Sequence, residues 1–332
     1  MKAIYFPAKD KVELLDLPNP KVGEGQVVVE VRASGLCHTD FEVLHANYGP
    51  GSFPLVPGHE YAGVVAEVGA GVGNVSVGDR VAIDPNINCG ECASCKRGWA
   101  HLCARLEAYG VTRNGGFSEF SVVAAEAVYK IGDLPFDVAA LAEPMGCVLN
   151  GLQAAGAGNK HNVLIFGAGP MGLLLGVGLR AQGVNDITFV DRDDARLAFA
   201  QELGFGAVHA ASEALLAWHH TADLAIDATG VPSVAASLID YTANGGSVLF
   251  FGVCPQTARI DISPFEVFRR QLSLVGSHSL NHNIPEALQA LKGFEGDLSR
   301  LISHRLSLEE MCTVMKDGPA RGSLKIQTAL SD

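Results

Sequence analysis

The stretch "NVLIFGAGPMGLLLGVGLRAQGVNDITFVD" at residues 162–191 most narrows the folds open to this chain of 332 residues. An apolar run leads into a glycine-rich turn, a helical stretch follows, and a second apolar run ends at Asp191. Strands that alternate with helical stretches are typical of a parallel sheet with crossover helices. Similar apolar runs at residues 223–230, 247–253 and 272–277 predict that this α/β sheet continues toward residue 280.

The glycine-rich turn has the spacing Gly167-x-Gly169-x-x-Gly172 and contains Pro170 and Met171. Glycines in these places permit a tight turn and a close approach of the backbone to a pyrophosphate. The unpaired N–H groups at the start of the following helix would face that phosphate. We therefore interpret the turn as a dinucleotide site, the alternative being a strand–helix turn without a cofactor.

An acidic residue follows this turn at the distance that nucleotide binding requires. Asp191 ends the next strand, nineteen residues past Gly172, where a carboxylate binds the adenosine ribose hydroxyls. Because a carboxylate repels a 2′-phosphate, the sequence favours NAD over NADP. Arg192 is the opposing feature, since its guanidinium could recruit that phosphate if Asp191 turned away.

The chain divides into three predicted regions. Residues 1–150 hold short β-branched segments separated by Gly, Pro and Asn, a pattern that suits a sandwich or partly open barrel. Residues 151–280 have the alternating α/β pattern. In residues 281–332 the stretches "IPEALQALKGF" and "LSLEEMCTVMKDG" look like surface helices, and we expect so short a segment to pack back onto the first region.

The composition excludes several classes of protein. The chain has 24 Lys and Arg against 36 Asp and Glu, with a net charge of −12 and no basic run, which argues against a nucleic-acid partner. No apolar run reaches the length of about eighteen residues that a membrane span needs. The N-terminus also lacks a signal-like apolar stretch, so a reducing cytoplasm is the expected location.

Four of the eight cysteines lie in one stretch, "CGECASCKRGWAHLC". In a reducing compartment, the spacing C-x2-C-x2-C-x7-C of Cys89, Cys92, Cys95 and Cys103 indicates a metal site before disulfides. Four thiolates make a closed tetrahedron around Zn²⁺. We expect a structural zinc lobe over residues 89–103, the alternatives being two disulfides or free thiols. A saturated zinc does not catalyse, so any reactive centre must lie elsewhere.

A second group of metal-ligand residue types is scattered through the first half of the chain. "GLCHTD" contains Cys37, "PGHEYAG" contains His59 and Glu60, and "LAEPMGC" contains Glu143. One thiolate, one imidazole and one carboxylate leave a zinc ion with an open coordination position, as catalytic zinc requires. Taken singly, each of these residues is more often a packing, bystander or turn residue.

Several motifs, all in family order, give the chain a resemblance to a known family: "GLCHTD", "PGHEYAGVVAEVG", the four-cysteine run, "EPMG" and "GAGPMG". Over essentially its whole length the chain resembles the zinc-containing medium-chain dehydrogenase/reductase family, and more closely its polyol (sorbitol-type) dehydrogenase branch. The resemblance implies an α/β protein in which a Rossmann doubly wound parallel sheet accompanies a β-rich GroES-like catalytic domain with a structural zinc lobe. It further implies a homo-oligomer, a dimer or a tetramer.

The resemblance implies that Cys37 and His59 bind a catalytic zinc and that Glu60, Glu143 or both complete its ligands. Alcohol dehydrogenases have a second cysteine where this chain has Glu143, and glutamate there is the polyol-type pattern. By the same resemblance the Thr39 hydroxyl takes the proton of the alcohol, and Asp40 steadies a ligand from behind. An ordinary capped loop is the alternative for this last pair.

Two positions depart from the family pattern. Some relatives have a histidine five residues after the zinc-binding cysteine, which completes a proton path, whereas this chain has Glu42 there and His45 three residues later. Asn150 stands where sugar and polyol relatives often have a histidine, so the substrate stays open. By resemblance, residues 227–230 and the loop with Gly252 and Val253 line the nicotinamide pocket.

The sequence therefore predicts a zinc-dependent oxidoreductase with two zinc ions and NAD per chain. It would transfer a hydride from a polyol or other secondary alcohol to NAD⁺, reversibly with the ketone. A zinc-free enone or quinone reductase and a non-catalytic zinc-stapled binding protein are the alternatives, and Cys37, His59 and Glu143 argue against both. The three cysteines Cys147, Cys254 and Cys312 are expected to be buried packing residues.

Overall fold

The computed structural model describes residues 1–47 and 52–330, and the chain divides into two compact units. The first unit comprises Met1–Gly146, Asn281–Lys292 and Leu298–Asp332, and the second comprises Cys147–Leu280 and Gly293–Asp297. The boundaries proposed above, 1–150, 151–280 and 281–332, stay a prediction, and the last two residues of the third segment lie outside the described part.

In chain order the strands are β1 (Lys2–Tyr5), β2 (Glu13–Asp16), β3 (Gln26–Gly35), β4 (Glu60–Val68), β5 (Arg80–Ile83), β6 (Asn86–Ile87), β7 (Glu107–Ala108), β8 (Phe120–Ala124), β9 (Val128–Lys130), β10 (Asn162–Phe166), β11 (Asp186–Asp191), β12 (Gly206–His209), β13 (Ala222–Asp227), β14 (Thr242–Phe250), β15 (Ser273–Gly276), β16 (Ile302–Leu306) and β17 (Lys325–Ala329). The α-helices are α1 (His38–Leu44), α2 (Ala93–Lys96), α3 (Phe136–Ala139), α4 (Ala142–Ala154), α5 (Pro170–Ala181), α6 (Asp194–Glu202), α7 (Pro232–Tyr241), α8 (Pro264–Arg270), α9 (Ile284–Gly293) and α10 (Leu308–Asp317).

The first unit is built on a seven-stranded sheet with the strand order β16-β17-β3-β4-β5-β9, and β8 pairs with β3 outside this path. Strand β3 lies between β4 and β17, and both pairings are antiparallel. Its β-branched side chains Val27, Val29 and Val31 are buried in one apolar cluster, which explains why this segment forms a strand. The C-terminal end of β3 leads directly to Cys37, so the sheet fixes the position of that residue.

The last fifty residues contribute strands as well as helices to the first unit. Helices α9 and α10 form where the sequence predicted two helices, whereas strand β17, which pairs with β16 and with β3, was not predicted. Helix α10 begins with a capping box of Ser307 and Glu310, and its buried face joins Met311 and Cys312 to an apolar cluster that contains Phe6.

The second unit contains a six-stranded sheet with the order β12-β11-β10-β13-β14-β15, in which every pairing is parallel. Val163, Leu164 and Ile165 of the central strand β10 are fully buried. Parallel strands covered on both faces read as continuous apolar runs, which is why the sequence predicted this sheet. The parallel α/β architecture with an accompanying β-rich part confirms the predicted fold class.

The expected burial of the three isolated cysteines is confirmed for one of them. Cys312 is buried, but Cys147 and Cys254 are only partly buried, so the prediction for those two was wrong. Cys254 lies in the loop after β14. Among the described residues, no helix has both the length and the apolar character needed to cross a bilayer.

Candidate active site

The four cysteines of the lobe lie around a common point. Their Sγ atoms lie within 4.8 Å of one another, with separations of 3.9 Å for Cys89–Cys95, 3.5 Å for Cys92–Cys95 and 4.0 Å for Cys92–Cys103. Sulfurs bound at about 2.3 Å around a tetrahedral zinc are about 3.8 Å apart. The sulfur positions therefore fit a zinc ion, with no ligand position left for a substrate.

The surroundings of the lobe lower the pKa of the Cys89 and Cys92 thiols, whereas the pKa of the Cys103 thiol is raised. The Sγ atom of Cys103 accepts hydrogen bonds from the backbone N–H groups of Cys89 and Arg105, each at 3.3 Å. The backbone N–H of Glu91, followed by the Arg105 guanidinium, lowers the pKa of the Cys89 thiol to about 5. Because the thiolate is the form that binds metal, this residue is prepared for zinc at neutral pH.

Cys37 and Asp40 define the second site at the start of a helix. Cys37 is the N-cap residue of α1, and its backbone N–H donates to Asp40 Oδ2 at 2.9 Å. The other carboxylate oxygen, Oδ1, accepts from the backbone N–H of Gly58 at 3.2 Å. Asp40, which is 1% exposed, therefore ties the Cys37 backbone to the residue that precedes His59.

His59 is buried between Asp40 and Cys37. Its Nδ1 lies 3.6 Å from Asp40 Oδ1 and forms no hydrogen bond. Burial by itself lowers the pKa of His59, but the Asp40 carboxylate and the Cys37 sulfur together raise this pKa well above its ordinary value. A carboxylate behind the ring is the usual support for a metal-binding imidazole, so the arrangement fits a ligand histidine.

Cys37, His59 and Glu60 form a second group of metal-ligand side chains, separate from the cysteine lobe. One ligand atom from each lies within 4.8 Å of the other two. The donors are a thiol, an imidazole and a carboxylate, which fit a zinc ion with one position left open. Glu143, near the start of α4, is also buried, but it does not belong to this group of mutually close ligand atoms.

Lys325 is the residue of this site that the sequence did not reveal. Its Nζ donates to both carboxylate oxygens of Glu60, 2.5 Å from Oε1, across a sequence separation of 265 residues. Both side chains are buried. Nothing in the local pattern "GSLKIQTAL" marks this lysine as different from an ordinary strand-end lysine.

The proposed proton acceptor lies next to Cys37. The Oγ1 atom of Thr39 is 3.6 Å from Cys37 Sγ. Beyond it, Glu42 pairs with His38 at 3.2 Å, and His45 pairs with Asp10 at 2.7 Å. Glu42, which stands where some relatives have a histidine, is thus in contact with His38 at the surface.

The glycine-rich turn of the second unit has the predicted geometry. Gly167 adopts φ +106°, a conformation that favours glycine, and a Cβ at Gly172 would collide with the Gly167 carbonyl. Helix α5 begins at Pro170, directly after the N-cap residue Gly169. The turn therefore presents the start of a helix, whose free N–H groups can bind a phosphate.

Asp191 is held against this turn by backbone N–H groups. Its Oδ2 accepts from Ala168 at 2.7 Å, and its Oδ1 accepts from Arg192 and Asp193 at 2.7 and 3.0 Å. Arg192 is exposed. Arg196 of α6 was not expected near this turn from the sequence. Its guanidinium lies 3.6 Å from the position that a Cβ of Gly169 would take. Its Nε is buried and has no hydrogen-bond partner among the described residues.

The two loops expected near the nicotinamide touch each other. Asp227 Oδ1 accepts from the backbone N–H and the hydroxyl of Thr229, at 2.8 and 2.6 Å, and its carbonyl accepts from Gly252 at 2.7 Å. A Cβ at Gly230 would meet the backbone of Val253. Both loops follow the carboxyl ends of parallel strands, where open sheets of this class bind ligands.

Asn150 forms hydrogen bonds to the backbone within the second unit. Its Nδ2 donates to the carbonyl oxygens of His278 and Ser279, at 3.2 and 2.9 Å. The side chain that stands in place of a histidine in polyol relatives therefore fastens the segment after β15.

Comparison with known proteins assigns the chain to a family. Residues 23–133 match the alcohol dehydrogenase GroES-like domain, and residues 170–293 match the zinc-binding dehydrogenase domain. The chain belongs to the zinc-binding dehydrogenases. It is therefore an oxidoreductase whose cofactors are zinc and a nicotinamide dinucleotide, which confirms the family, the enzyme class and the cofactors expected from the sequence.

Individual relatives match over almost the entire chain. D-altritol 5-dehydrogenase of Agrobacterium fabrum (strain C58) is 51% identical, covering 99% of each chain. D-arabinitol dehydrogenase 1 of Uromyces fabae is 30% identical, covering 98% of this chain and 96% of that protein. A protein from Sinorhizobium meliloti 1021 described as a zinc-binding dehydrogenase, solved with bound NADP, has a TM-score of 0.93 at 29% identity, covering 99% of each chain.

Proposed function

We propose that this protein oxidises a secondary hydroxyl group of a linear polyol to a ketone, with NAD⁺ as the hydride acceptor, and catalyses the reverse reaction. The observation that carries the proposal is the 51% identity, over 99% of both chains, to a D-altritol 5-dehydrogenase. The second polyol dehydrogenase among the relatives supports the same substrate class.

The donor set of the first unit suits this reaction. Cys37, His59 and one carboxylate would hold the catalytic zinc, and Cys89, Cys92, Cys95 and Cys103 the structural zinc. Zinc bound at the open site would supply Lewis-acid chemistry, which lowers the pKa of a hydroxyl so that its proton leaves near neutral pH. Asp40 keeps His59 and Cys37 in place for this.

The proton and the hydride leave the alcohol by different routes. Thr39 Oγ1, which lies next to Cys37 Sγ, accepts the hydroxyl proton and releases its own hydroxyl proton to solvent. A dinucleotide would be held by Gly167, Gly169, Pro170, Met171 and Gly172, and it would accept the hydride, that is, the hydrogen and the electron pair of the carbinol C–H bond. The carbon–oxygen bond becomes the double bond of the ketone.

A substrate panel tests the proposed substrate class. We expect D-altritol and D-arabinitol to reduce NAD⁺ with a kcat/KM at least about 10²-fold above that of ethanol, because a site with hydrogen-bonding groups for several hydroxyls discriminates against an alcohol that lacks them. The measurement is the rate of NADH formation at equal enzyme concentration. Equal rates with ethanol and the polyols would contradict the proposed substrate class.

The preference for NAD over NADP rests on Asp191. Its carboxylate lies at the glycine-rich turn, held there by the N–H of Ala168, and a 2′-phosphate near it would be repelled. Like charges placed together cost several kcal/mol, so we expect NAD⁺ to be used with a kcat/KM about 10²-fold higher than NADP⁺. Asp191→Asn should narrow this ratio, whereas Asp186→Asn at the other end of β11 should leave it unchanged.

We also propose a homo-oligomer. Strand β15 is at one edge of the six-stranded sheet, and the nearby helix α8 exposes Phe265 by 64% and Phe268 by 80%. An unpaired strand edge with apolar neighbours suits pairing with a second copy. Light scattering should give a mass in solution of two or four times the mass of the chain, and the Phe268→Asp variant should have a lower mass in solution.

The cytoplasm is the compartment that we propose. All eight cysteines are free thiols, and a zinc lobe needs reduced cysteines. Cell fractionation with a cytoplasmic marker enzyme checks this location.

A further inference from the structure

Two consecutive residues from the C-terminal part of the chain reach the cysteine lobe. Asn281 Oδ1 accepts from the backbone N–H of Ala100 at 3.1 Å, and its Nδ2 donates to the carbonyl oxygen of Gly98 at 2.9 Å. His282 Nε2 lies 2.8 Å from Asn88 Oδ1, across a sequence separation of 194 residues. The lobe is therefore held by residues outside its own stretch as well as by the spacing of its cysteines.

Asn88 connects these contacts to a lobe sulfur. It directly precedes the first cysteine of the lobe, and its Nδ2 donates to Cys95 Sγ at 3.6 Å. A hydrogen bond from an N–H group stabilises the charged form of its acceptor, and the thiolate is the form of cysteine that binds metal. The amide of Asn88 is therefore turned in the direction that suits a zinc-bound sulfur.

The hydrogen-bond partners of His282 determine which of its ring nitrogens carry a proton. Nδ1 lies 2.7 Å from Asp84 Oδ2, and a carboxylate oxygen can only accept. Because the N–H groups of Asn88 face the sulfur, its acceptor Oδ1 faces Nε2, so both ring nitrogens donate. The hydrogen bond to Asp84 also raises the pKa of His282, with burial opposing it. The ring is thus a cation that lies one amide away from the lobe sulfur.

The backbone and the carboxylate hold the ring in this place. His282 has φ +54°, a conformation that is uncommon outside glycine and that persists only where the surrounding contacts maintain it. Asp84 is 1% exposed, and its Oδ1 accepts from the backbone N–H of Asn86 at 3.0 Å. The carboxylate is therefore fixed on one side and holds His282 on the other.

We propose that the Asp84–His282 pair directs the amide N–H of Asn88 at the lobe and thereby slows the loss of its zinc. A zinc ion with four thiolates keeps a net negative charge, which a donor backed by an imidazolium partly offsets. His282 and Asn88 are positioning residues, since neither binds the metal. Groups that support metal ligands in this way typically contribute about 10–100-fold in metal affinity.

Zinc release to a chromogenic chelator tests the proposal on the purified holoenzyme. The phase of release that is missing from Cys92→Ser belongs to the lobe. Asn88→Asp should release this zinc about tenfold faster than the wild type, because a carboxylate oxygen replaces the N–H group that faces the thiolate. The exposed Asn19→Asp is the matched control and should release the lobe zinc at the wild-type rate.

Asn88→Asp also separates this role from a purely structural one. The new carboxylate pairs more strongly with the His282 cation than an amide does, so a residue that only fastened the loop would hold the zinc at least as firmly after the change. Cobalt in the lobe gives a second readout, since the sulfur-to-metal charge-transfer bands of Co²⁺ respond to hydrogen bonds at the sulfurs. We expect these bands to shift in Asn88→Asp and to stay in place in Asn19→Asp.

Two variants of His282, whose side chain is 36% exposed, decide the proposal even if Asn88→Asp does not fold. His282→Gln places an amide N–H group near the position of Nε2 and keeps a donor for Asn88, so its lobe zinc should leave at close to the wild-type rate. His282→Asn is too short to reach Asn88, and its lobe zinc should leave about tenfold faster.

Four outcomes would overturn the inference. They are a wild-type release rate in Asn88→Asp, cobalt bands that do not move in this variant, equal rates in the two His282 variants, and a release from Asn19→Asp as fast as that from Asn88→Asp. Failure of the proposed function has a different appearance, because a wild type that oxidises no polyol can still show the expected pattern of zinc release.

Discussion

The two candidate metal sites of the first unit are built in opposite ways. The cysteine lobe is one continuous stretch, its thiols provide all four donors, and Cys89, Cys92 and Cys95 are partly exposed. The open site combines residues from α1, the start of β4 and β17, and it buries Asp40, His59, Glu60, Glu143 and Lys325. The cysteines of the lobe are brought together by their spacing in one loop, whereas the residues of the open site meet only in the completed fold. The expected roles differ as well, because a zinc with four protein ligands stabilises the structure and a zinc with an open position can bind a substrate.

The largest expected effect concerns the stability of the lobe. Cys92→Ser should release the lobe zinc and lower the free energy of unfolding by a few kcal/mol, a part of the roughly 10–16 kcal/mol that structural zinc contributes in small peptides. Denaturant unfolding with zinc analysis measures both quantities. Cys254→Ser, outside both clusters, is the control and should change neither. An unchanged unfolding midpoint in Cys92→Ser would mean that the lobe does not stabilise the fold.

Thr39→Val tests the proton step at the open site. Loss of the hydroxyl should lower kcat by about 10²–10⁴-fold, the usual contribution of a positioned proton acceptor. Zinc content and NADH affinity should be unchanged, because Thr39 holds neither cofactor. Thr39→Ser, which keeps the hydroxyl, is the matched control. A valine variant with wild-type kcat would remove Thr39 from the mechanism.

Asp40→Asn tests the support behind the zinc ligands. Asp40 accepts from the backbone at Cys37 and Gly58 and lies next to His59 Nδ1. Changing such a supporting group typically lowers metal affinity by about 10–100-fold, so one of the two zinc ions should be lost faster to a chelator. The exposed Asp133→Asn is the control. Identical release curves for the two variants would speak against this supporting role.

The smallest expected effect is on the pH dependence of stability, through the His282–Asp84 pair next to the lobe. His282 Nδ1 donates to Asp84 Oδ2 at 2.7 Å, and its Nε2 lies 2.8 Å from Asn88 Oδ1, beside the lobe. The hydrogen bond to Asp84 raises the pKa of His282, with burial opposing it. The ionised pair therefore stabilises the fold fully below the unfolded-state pKa of about 6.5, and this contribution is lost as pH rises through the raised folded-state pKa.

Unfolding experiments on His282→Gln check this dependence. Because the imidazole is 36% exposed, solvent screening limits the effect to about 1 kcal/mol or less. The wild type should lose that much more stability than His282→Gln between about pH 6 and pH 9. Parallel pH profiles for the two proteins would show that the pair contributes nothing.

The sequence predicted the lobe and the parallel sheet because both depend on local spacing. Four cysteines in one loop, or an apolar run that enters a glycine-rich turn, specify their geometry over a few residues. Cys37 and His59 were expected from resemblance, because no spacing rule joins a residue after β3 to one before β4.

Lys325 and Arg196 could not be found in this way. Lys325 reaches Glu60 because β17 pairs with β3, and that pairing joins the two ends of the chain. Strand β17 is short and begins with a lysine, so its sequence resembles that of a polar loop. Arg196 lies near Gly169 only because α6 follows the parallel strand β11.

Zinc content and turnover, measured together in Cys37→Ser, test the central claim most directly. We expect the zinc content to fall from about two ions per chain to about one, polyol oxidation to be lost, and NADH to bind as in the wild type. A Cys37→Ser protein that keeps both zinc ions and oxidises the polyol would contradict the account.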